Sequence, residues 1–127
     1  MLEFLAVGIG GFIGSCLRFG FTKLLGRWAE TFPFATLLSN VIAALMIGFI
    51  IGFEQQSCTM NQRTKLFLTT GLLGGLSTFC TFSLETVTFF QNQKYLLALG
   101  NIALNVCLSL LGVVIGMFCA KLIFKKA

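Results

Sequence analysis

The sequence predicts an all-α membrane protein with four transmembrane helices. Only 10% of its 127 residues are charged and 57% are hydrophobic, whereas a soluble domain typically has about a quarter charged residues. A helix needs roughly 20 mainly apolar residues to cross a bilayer, so the length accommodates about four crossings and little else. We therefore expect residues 1–127 to form a single four-helix transmembrane domain. The first apolar run lacks the features of a cleaved leader, so we expect it to be retained.

Four apolar segments supply these helices. They are predicted at residues 4–25, 33–53, 66–90 and 95–118. The connections between them are short, which favours antiparallel neighbours in a small up-and-down bundle. Pro33 suits the first turn of the second helix, where its missing N–H leaves no hydrogen bond unmade.

Each segment also contains two glycines four residues apart. The pairs are Gly10 and Gly14, Gly48 and Gly52, Gly71 and Gly75, and Gly112 and Gly116. Glycines at this spacing lie on one face of a helix and allow two backbones to approach closely in lipid. The pairs predict tight packing of the helices, within the chain or between subunits, although glycine is also common in membrane helices generally.

The net charge of +5 points to a membrane surface and not to nucleic acid, because the basic residues lie at the ends of the apolar segments. One side of the bundle would hold five of them, namely Arg63, Lys65, Lys121, Lys125 and Lys126. The other side would hold four, namely Arg18, Lys23, Arg27 and Lys94. Since this bias orients membrane proteins, a near-balance leaves insertion in both orientations open.

The most unusual stretch is GLLGGLSTFCTFSLE at residues 71–85. Adjacent glycines at Gly74 and Gly75 weaken a helix, and Ser77 and Thr78 offer its backbone alternative hydrogen bonds. We expect the third helix to break near the middle of the membrane at this point, although a continuous helix with a glycine packing face remains an alternative. Carbonyl groups freed by a break there would form a candidate cation site.

Polar and aromatic residues near this stretch are candidates for an anion path. Phe79 and Phe82 lie on one helix face, and aromatic rings have positively polarised edges. Neutral side chains within the apolar segments, namely Asn40, Asn105 and Ser109, either donate hydrogen bonds to an ion or join helices together. Arg18 either reaches toward the lipid headgroups or draws anions into a vestibule. Glu85 is either an intramembrane proton carrier or, as its distance from the break favours, a residue of a wet vestibule near the end of the third helix.

These motifs resemble the Fluc/CrcB family of small fluoride channels. The third-helix stretch is similar to the family pattern G-x-x-G-G-[FL]-[ST]-T-F-S-T-F-S-x-E. GGFIGSCLR resembles the first-helix motif and FATLLSNVIAALMIG resembles the second-helix motif. Cys80, Ala35 and Val113 depart from positions where the family has serine, glycine or a possible further hydroxyl.

The resemblance implies a fluoride-selective channel, not an enzyme, that exports fluoride passively and lowers its cytoplasmic concentration. It implies a multi-pass protein of the cell membrane that forms an antiparallel dual-topology homodimer, or pairs with a related subunit. By motif position, a sodium ion on the dimer axis would be held by the backbone carbonyls of Gly74 and Ser77. The anion pathway would comprise Phe79, Phe82, Asn40, Thr81, Ser109 and Arg18.

Two other functions fit four short helices. A small multidrug-type proton antiporter needs a carboxylate deep in the first helix, but the only acid near that segment is Glu3, at its edge. A non-transporting assembly subunit would use the same glycine packing, but it gives no reason for the residues of the 71–85 stretch.

Overall fold

The computed structural model describes residues 1–28, 30–56 and 59–125. These residues form four helical spans, each long and apolar enough to cross a membrane: α1 (Leu2–Leu24), α2 (Phe34–Gln55), a third span (Gln62–Gln91) and α6 (Tyr95–Ile123). The predicted four-span membrane fold is therefore confirmed. The third span begins four residues earlier than predicted and the fourth ends five residues later. Lys126, part of the predicted C-terminal basic cluster, lies outside the described residues.

The third span is built from several pieces. Helix α3 (Gln62–Leu66) leads into a π-helical segment (Phe67–Leu73), which is followed by α4 (Gly74–Leu76). The chain is then extended at two residues, and helix α5 (Phe79–Gln91) completes the span. The predicted break in the middle of the span is confirmed, since 5, 7 and 3 residues precede it and 13 follow it.

The break lies at Ser77 and Thr78, within the stretch that the sequence indicated. Gly74 and Gly75 are helical, with Gly74 at φ −64° and ψ −35°. The extended residues are instead Ser77 (ψ 153°) and Thr78 (ψ 120°). The break falls on the hydroxyl residues of that stretch because Gly75 serves helix packing, while the side chain of Thr78 caps the following helix.

The glycine pairs form two close helix interfaces, as predicted. The glycines of α1 lie against those of the third span. The glycines of α2 lie against the part of α6 that carries Gly112 and Gly116. A β-carbon built on Gly71 would lie 2.8 Å from Val7 O, and one on Gly75 would lie 2.7 Å from Gly11 O. Because positions later in α1 meet positions later in the third span, these two helices run parallel.

Helices α2 and α6 are also parallel, since a β-carbon on Gly52 would approach the backbone of Met117 and one on Gly112 would approach Ala44. By contrast, α2 and α5 run in opposite directions, because Thr36 contacts Glu85 while Asn40 contacts Thr78. These directions are those expected of a chain that crosses the membrane four times with short connections.

The interior consists mainly of small and polar side chains. The largest fully buried side chains among the described residues are Asn101 and Ser39. Many large apolar side chains, such as Phe4 and Leu96, are exposed on the outside of the bundle. This distribution is typical of a membrane protein, because lipid solvates apolar side chains as well as a protein core does and close packing or hydrogen bonding must join the helices.

The two adjacent glycines of the third span provide a matched test of this packing. We expect Gly75→Ala to destabilise the fold by about 1–3 kcal/mol, the usual effect of overpacking, because the new methyl group meets the α1 backbone. Gly74→Ala should fold normally, since the nearest atom to its β-carbon is Thr69 O at 3.7 Å. Thermal unfolding in detergent, followed by size-exclusion chromatography, measures both. Equal stability of the two variants would contradict this account of the interface.

Candidate functional site: the groove at the helix break

Hydrogen bonds from side chains maintain the break. The backbone N–H of Thr78 donates to Asn40 Oδ1 at 2.8 Å, and Asn40 Nδ2 makes a longer bond of 3.4 Å to Thr78 O. The N–H of Thr81 donates to Thr78 Oγ1 at 3.2 Å, which is an N-cap for α5. In a membrane every backbone polar group needs a partner, so these side chains allow an extended backbone at this depth.

The same bonds release two backbone carbonyls. In a continuous helix, Gly74 C=O would accept from the N–H of Thr78, and Ser77 C=O would accept from the N–H of Thr81. Both donors are diverted, the first to Asn40 and the second to the Thr78 hydroxyl. The two carbonyls implied by the resemblance as cation ligands are therefore among those whose helical donors bond elsewhere.

A groove of about 380 Å³ opens beside the break. It is lined by α2, α6 and both sides of the break. The predicted residues among its lining are Asn40, Gly74, Ser77, Phe79, Phe82, Asn105 and Ser109. The rings of Phe79 and Phe82 are 5.6 Å apart between centroids and tilted by 56°. Phe79 is 77% exposed in the single chain, whereas Phe82 is only 9% exposed. The Phe82 ring is therefore packed inside the bundle, and the Phe79 ring projects from it.

The groove wall continues into a chain of buried amides. Asn40 Nδ2 donates to Asn105 Oδ1 at 3.0 Å, and Asn105 Nδ2 donates to Asn101 Oδ1 at 2.8 Å. Asn101 Nδ2 then donates to the hydroxyl of Thr86 at 3.0 Å, and that hydroxyl donates to Phe82 O at 2.8 Å. Asn40 and Asn105, which the sequence left open as ion donors or as links between helices, do link α2, α6 and the third span.

Other predicted residues lie around the groove without lining it. The Thr81 hydroxyl accepts from Thr78 Oγ1 at 3.2 Å, so it lies at the base of the break. Arg18 is half-buried on α1, where its carbonyl accepts from the Thr22 hydroxyl. Glu85 is half-buried and accepts a 2.7 Å hydrogen bond from Thr36 near the start of α2. The groove therefore gathers most of the predicted residues but not Arg18 or Thr81.

Sequence reasoning missed Asn101 and Thr86. A signal for Asn101 was present, because Asn101, Asn105 and Ser109 follow at intervals of four and share one helix face. Thr86 could not be singled out in the same way, since several threonines occur in the third span and only the folded structure shows which one faces Asn101.

The sequence pattern of a protein family described as "CrcB-like protein, Camphor Resistance (CrcB)" matches residues 5–117. The chain belongs to this family. A relative from Clostridium perfringens, named "Fluoride-specific ion channel FluC", is 44% identical over 98% of both chains. Relatives of the same name from Ruminiclostridium cellulolyticum and Psychrobacter cryohalolentis are 42% and 41% identical, covering 97% and 96% of this chain and 95% and 99% of their own. The resemblance based on the motifs is thereby confirmed over nearly the whole length.

The cap at the break generates a prediction for this CrcB-family chain. Thr78→Val keeps the β-branched shape but removes the oxygen that accepts from Thr81 N, so we expect stability to fall by about 1 kcal/mol. Ser77→Ala should have little effect, because the hydrogen bond at Ser77 is made by its backbone N–H to Leu73 O. Thermal unfolding of both variants is the measurement. A larger loss in Ser77→Ala than in Thr78→Val would show that the cap does not support the break.

Proposed function

We propose that this chain is a fluoride-selective channel of the cell membrane, through which fluoride leaves the cell passively and its cytoplasmic concentration falls. The observation that carries the proposal is the groove at the helix break, where two phenylalanine rings and neutral hydrogen-bond donors lie together. The names of the full-length relatives support fluoride as the ion. Nothing in this function requires a catalytic residue.

Neutral donors suit the passage of a small anion. Fluoride holds its water strongly, so a pathway must replace that water, yet a buried positive charge would hold the ion too firmly for conduction. Asn40 Nδ2 makes a weak 3.4 Å bond to Thr78 O, and we assign this N–H to the passing ion. Ser109 and the ring edges of Phe79 and Phe82 supply further contacts, with Thr81 at the base of the break and Arg18 attracting anions at the entrance.

The proton-antiporter alternative has no support. Its mechanism needs an acidic residue deep in the first helix, and the described part of α1 has one acid, Glu3, in its first turn. Glu85 lies in the third span and is bonded to Thr36. The relatives that match over nearly the full length are named as ion channels.

Liposome flux tests the function directly. Reconstituted protein should release fluoride and retain chloride, in the absence of a proton gradient, because the donors in the groove hold small anions and the path needs no titrating group. A fluoride electrode and a chloride electrode measure the two fluxes. Comparable release of chloride, or fluoride flux that strictly requires a proton gradient, would overturn the proposal.

The phenylalanines give a second test. Phe79→Ile and Phe82→Ile keep much of the side-chain bulk but remove the polarised ring. We expect either change to lower fluoride efflux by about tenfold or more, which corresponds to about 1.4 kcal/mol of barrier. Size-exclusion chromatography should show that the variants keep the assembly of the unmodified chain. Unchanged efflux in both variants would mean that the rings serve packing and that the ion passes elsewhere.

We further propose that the channel is an antiparallel homodimer, with two copies inserted in opposite orientations. Two observations support it: the near-balance of basic residues between the two sides, and the exposure of Gly74 and Phe79 beside the open groove. A second copy would cover the exposed Gly74 and Phe79. Attaching tags to the termini and loops in intact cells tests the orientation, and a single fixed orientation would require a related partner subunit instead.

A sodium ion on the axis of that dimer is the third element of the proposal. Carbonyl oxygens are suitable ligands for a hard cation, and Gly74 C=O and Ser77 C=O have lost their helical donors to Asn40 and Thr78. The ion would be structural, drawing together the carbonyls of the two copies and balancing their partial negative charge at mid-membrane.

Replacing sodium with a large organic cation should lower the thermal stability of the dimer. Ser77→Ala should retain the sodium dependence, because the carbonyl remains. Gly74→Val should lose the dimer although the single chain has space at this position, where the nearest atom is 3.7 Å away. Size-exclusion chromatography and thermal unfolding with and without sodium are the measurements. Equal tolerance of both substitutions would argue against a shared carbonyl site.

A further inference from the structure

The buried amides form a chain that begins and ends on the backbone of the third span. Starting from the Thr78 N–H, each group accepts from the previous one and donates to the next, through Asn40, Asn105, Asn101 and Thr86, until Phe82 O accepts the last bond. The hydrogen-bond chain leaves the third span at Thr78, passes through α2 and α6, returns to the third span at Thr86, about two helical turns later, and ends one turn back on Phe82 O. It therefore encloses the segment that carries Phe79 and Phe82.

The donor and acceptor roles along this hydrogen-bond chain are determined by the backbone groups at its two ends. A backbone N–H can only donate, so Asn40 must present its oxygen to Thr78 and its nitrogen to Asn105. A backbone carbonyl can only accept, so the Thr86 hydroxyl must donate to Phe82 O and accept from Asn101. A third constraint comes from Asn101 O, which accepts from Asn105 Nδ2 at 3.0 Å. Reversing any one amide would place two donors or two acceptors face to face.

We propose that Asn101 is a positioning residue for ion conduction. Through Asn105 it holds the Asn40 side chain in one orientation, with its oxygen on the Thr78 N–H and its nitrogen directed to the groove. Asn101 is itself 0% exposed and does not line the groove, so its effect on an ion is indirect. This inference rests on the proposed channel function.

The consequence for conduction follows from the bonds at Asn40. One of its two amide hydrogens is directed to Asn105 Oδ1, and the other makes the weak bond to Thr78 O. Only the second, whose bond is weak, can be shared with a passing anion while the amide keeps its other two bonds. If Asn101 or Thr86 is changed, the bond from Asn105 Nδ2 to Asn101 Oδ1 is lost or loosened, and Asn105 Nδ2 keeps only its 3.0 Å bond to the Asn101 backbone carbonyl. Asn105, and through it Asn40, is then held less firmly, and the N–H spends less time directed at the groove.

Two substitutions of Thr86 distinguish a role in the hydrogen-bond chain from a role in packing. Thr86→Val keeps the shape but removes the hydroxyl that joins Asn101 to Phe82, whereas Thr86→Ser keeps the hydroxyl and removes a buried methyl group. If the hydrogen-bond chain matters, the valine variant should be the more impaired and the serine variant should be close to the unmodified channel. If Thr86 only fills space, the order is reversed.

A matched control lies two residues away. Thr88 Oγ1 donates to Leu84 O at 2.8 Å, the same bond to the fourth preceding carbonyl, but its side chain is exposed and belongs to no amide chain. Thr88→Val should therefore conduct fluoride like the unmodified channel. A loss in Thr88→Val equal to that in Thr86→Val would show that any missing hydroxyl on α5 has this effect and would overturn the proposal.

The readout must separate positioning from stability. A variant that merely folds less well lowers the fraction of liposomes that empty, but each remaining channel conducts normally. We expect Thr86→Val and Asn101→Leu instead to lower the fluoride rate per active channel by about tenfold, equivalent to about 1.4 kcal/mol, with Thr86→Ser restoring it. An unchanged rate per channel in Thr86→Val would overturn the proposal.

Amide hydrogen exchange separates this inference from the channel function itself. In Thr86→Val, we expect faster exchange at the Thr78 N–H because Asn40 no longer holds it, whereas Thr88→Val should leave that amide unchanged. Unaltered exchange at Thr78 would overturn the inference whether or not the protein conducts fluoride. If the unmodified protein carries no fluoride but exchange at Thr78 responds as expected, the proposed function fails and the hydrogen-bond chain stands.

Discussion

The hydrogen bond from the Thr78 N–H to Asn40 Oδ1 is the interaction on which the rest of the site depends. A backbone N–H inside a membrane must have a partner, and here a side chain from another helix replaces the usual carbonyl one turn earlier. Once this donor is diverted, the helix cannot continue, Gly74 C=O loses its partner and the chain extends through Ser77 and Thr78. The direction of α5, and with it the position of both phenylalanines, follows from that interruption.

The bundle separates packing from polar chemistry. Glycine pairs bring α1 against the third span and α2 against α6, with backbones in near contact. The polar side chains lie elsewhere, where α2, α5 and α6 meet. The close-packed interfaces hold these three helices at fixed positions, and that fixed spacing allows the short amide side chains to span the gaps between them.

A neutral polar interior has a particular advantage in this setting. Buried charges in a membrane are costly and bind ions of opposite sign strongly, whereas amides and hydroxyls that satisfy one another are stable and leave only weak contacts for a passing ion. Asn40 combines both roles, since its oxygen and one N–H hold the break while its other N–H is weakly bonded at 3.4 Å. The hydrogen bonds that stabilise the interrupted helix therefore also orient the amide N–H of Asn40 that can bind an ion.

The sequence by itself determined the membrane class, the four spans, the glycine interfaces and the presence of an interruption in the third helix. Each of these depends on local composition or on spacing within one helix, which can be read without knowing the neighbours. The motif of the third helix also indicated Gly74, Ser77, Phe79 and Phe82, which line the groove.

Only the tertiary structure decided where the helix breaks and which polar groups meet. Two glycines weaken a helix equally wherever they stand, but the break forms at Ser77 and Thr78 because Asn40, 38 residues away in sequence, reaches the Thr78 N–H. Asn101 and Thr86 were likewise invisible as partners, since their 3.0 Å bond joins different helices. A hydrogen bond depends on distances of tenths of an ångström between elements, and those distances exist only after the helices have packed.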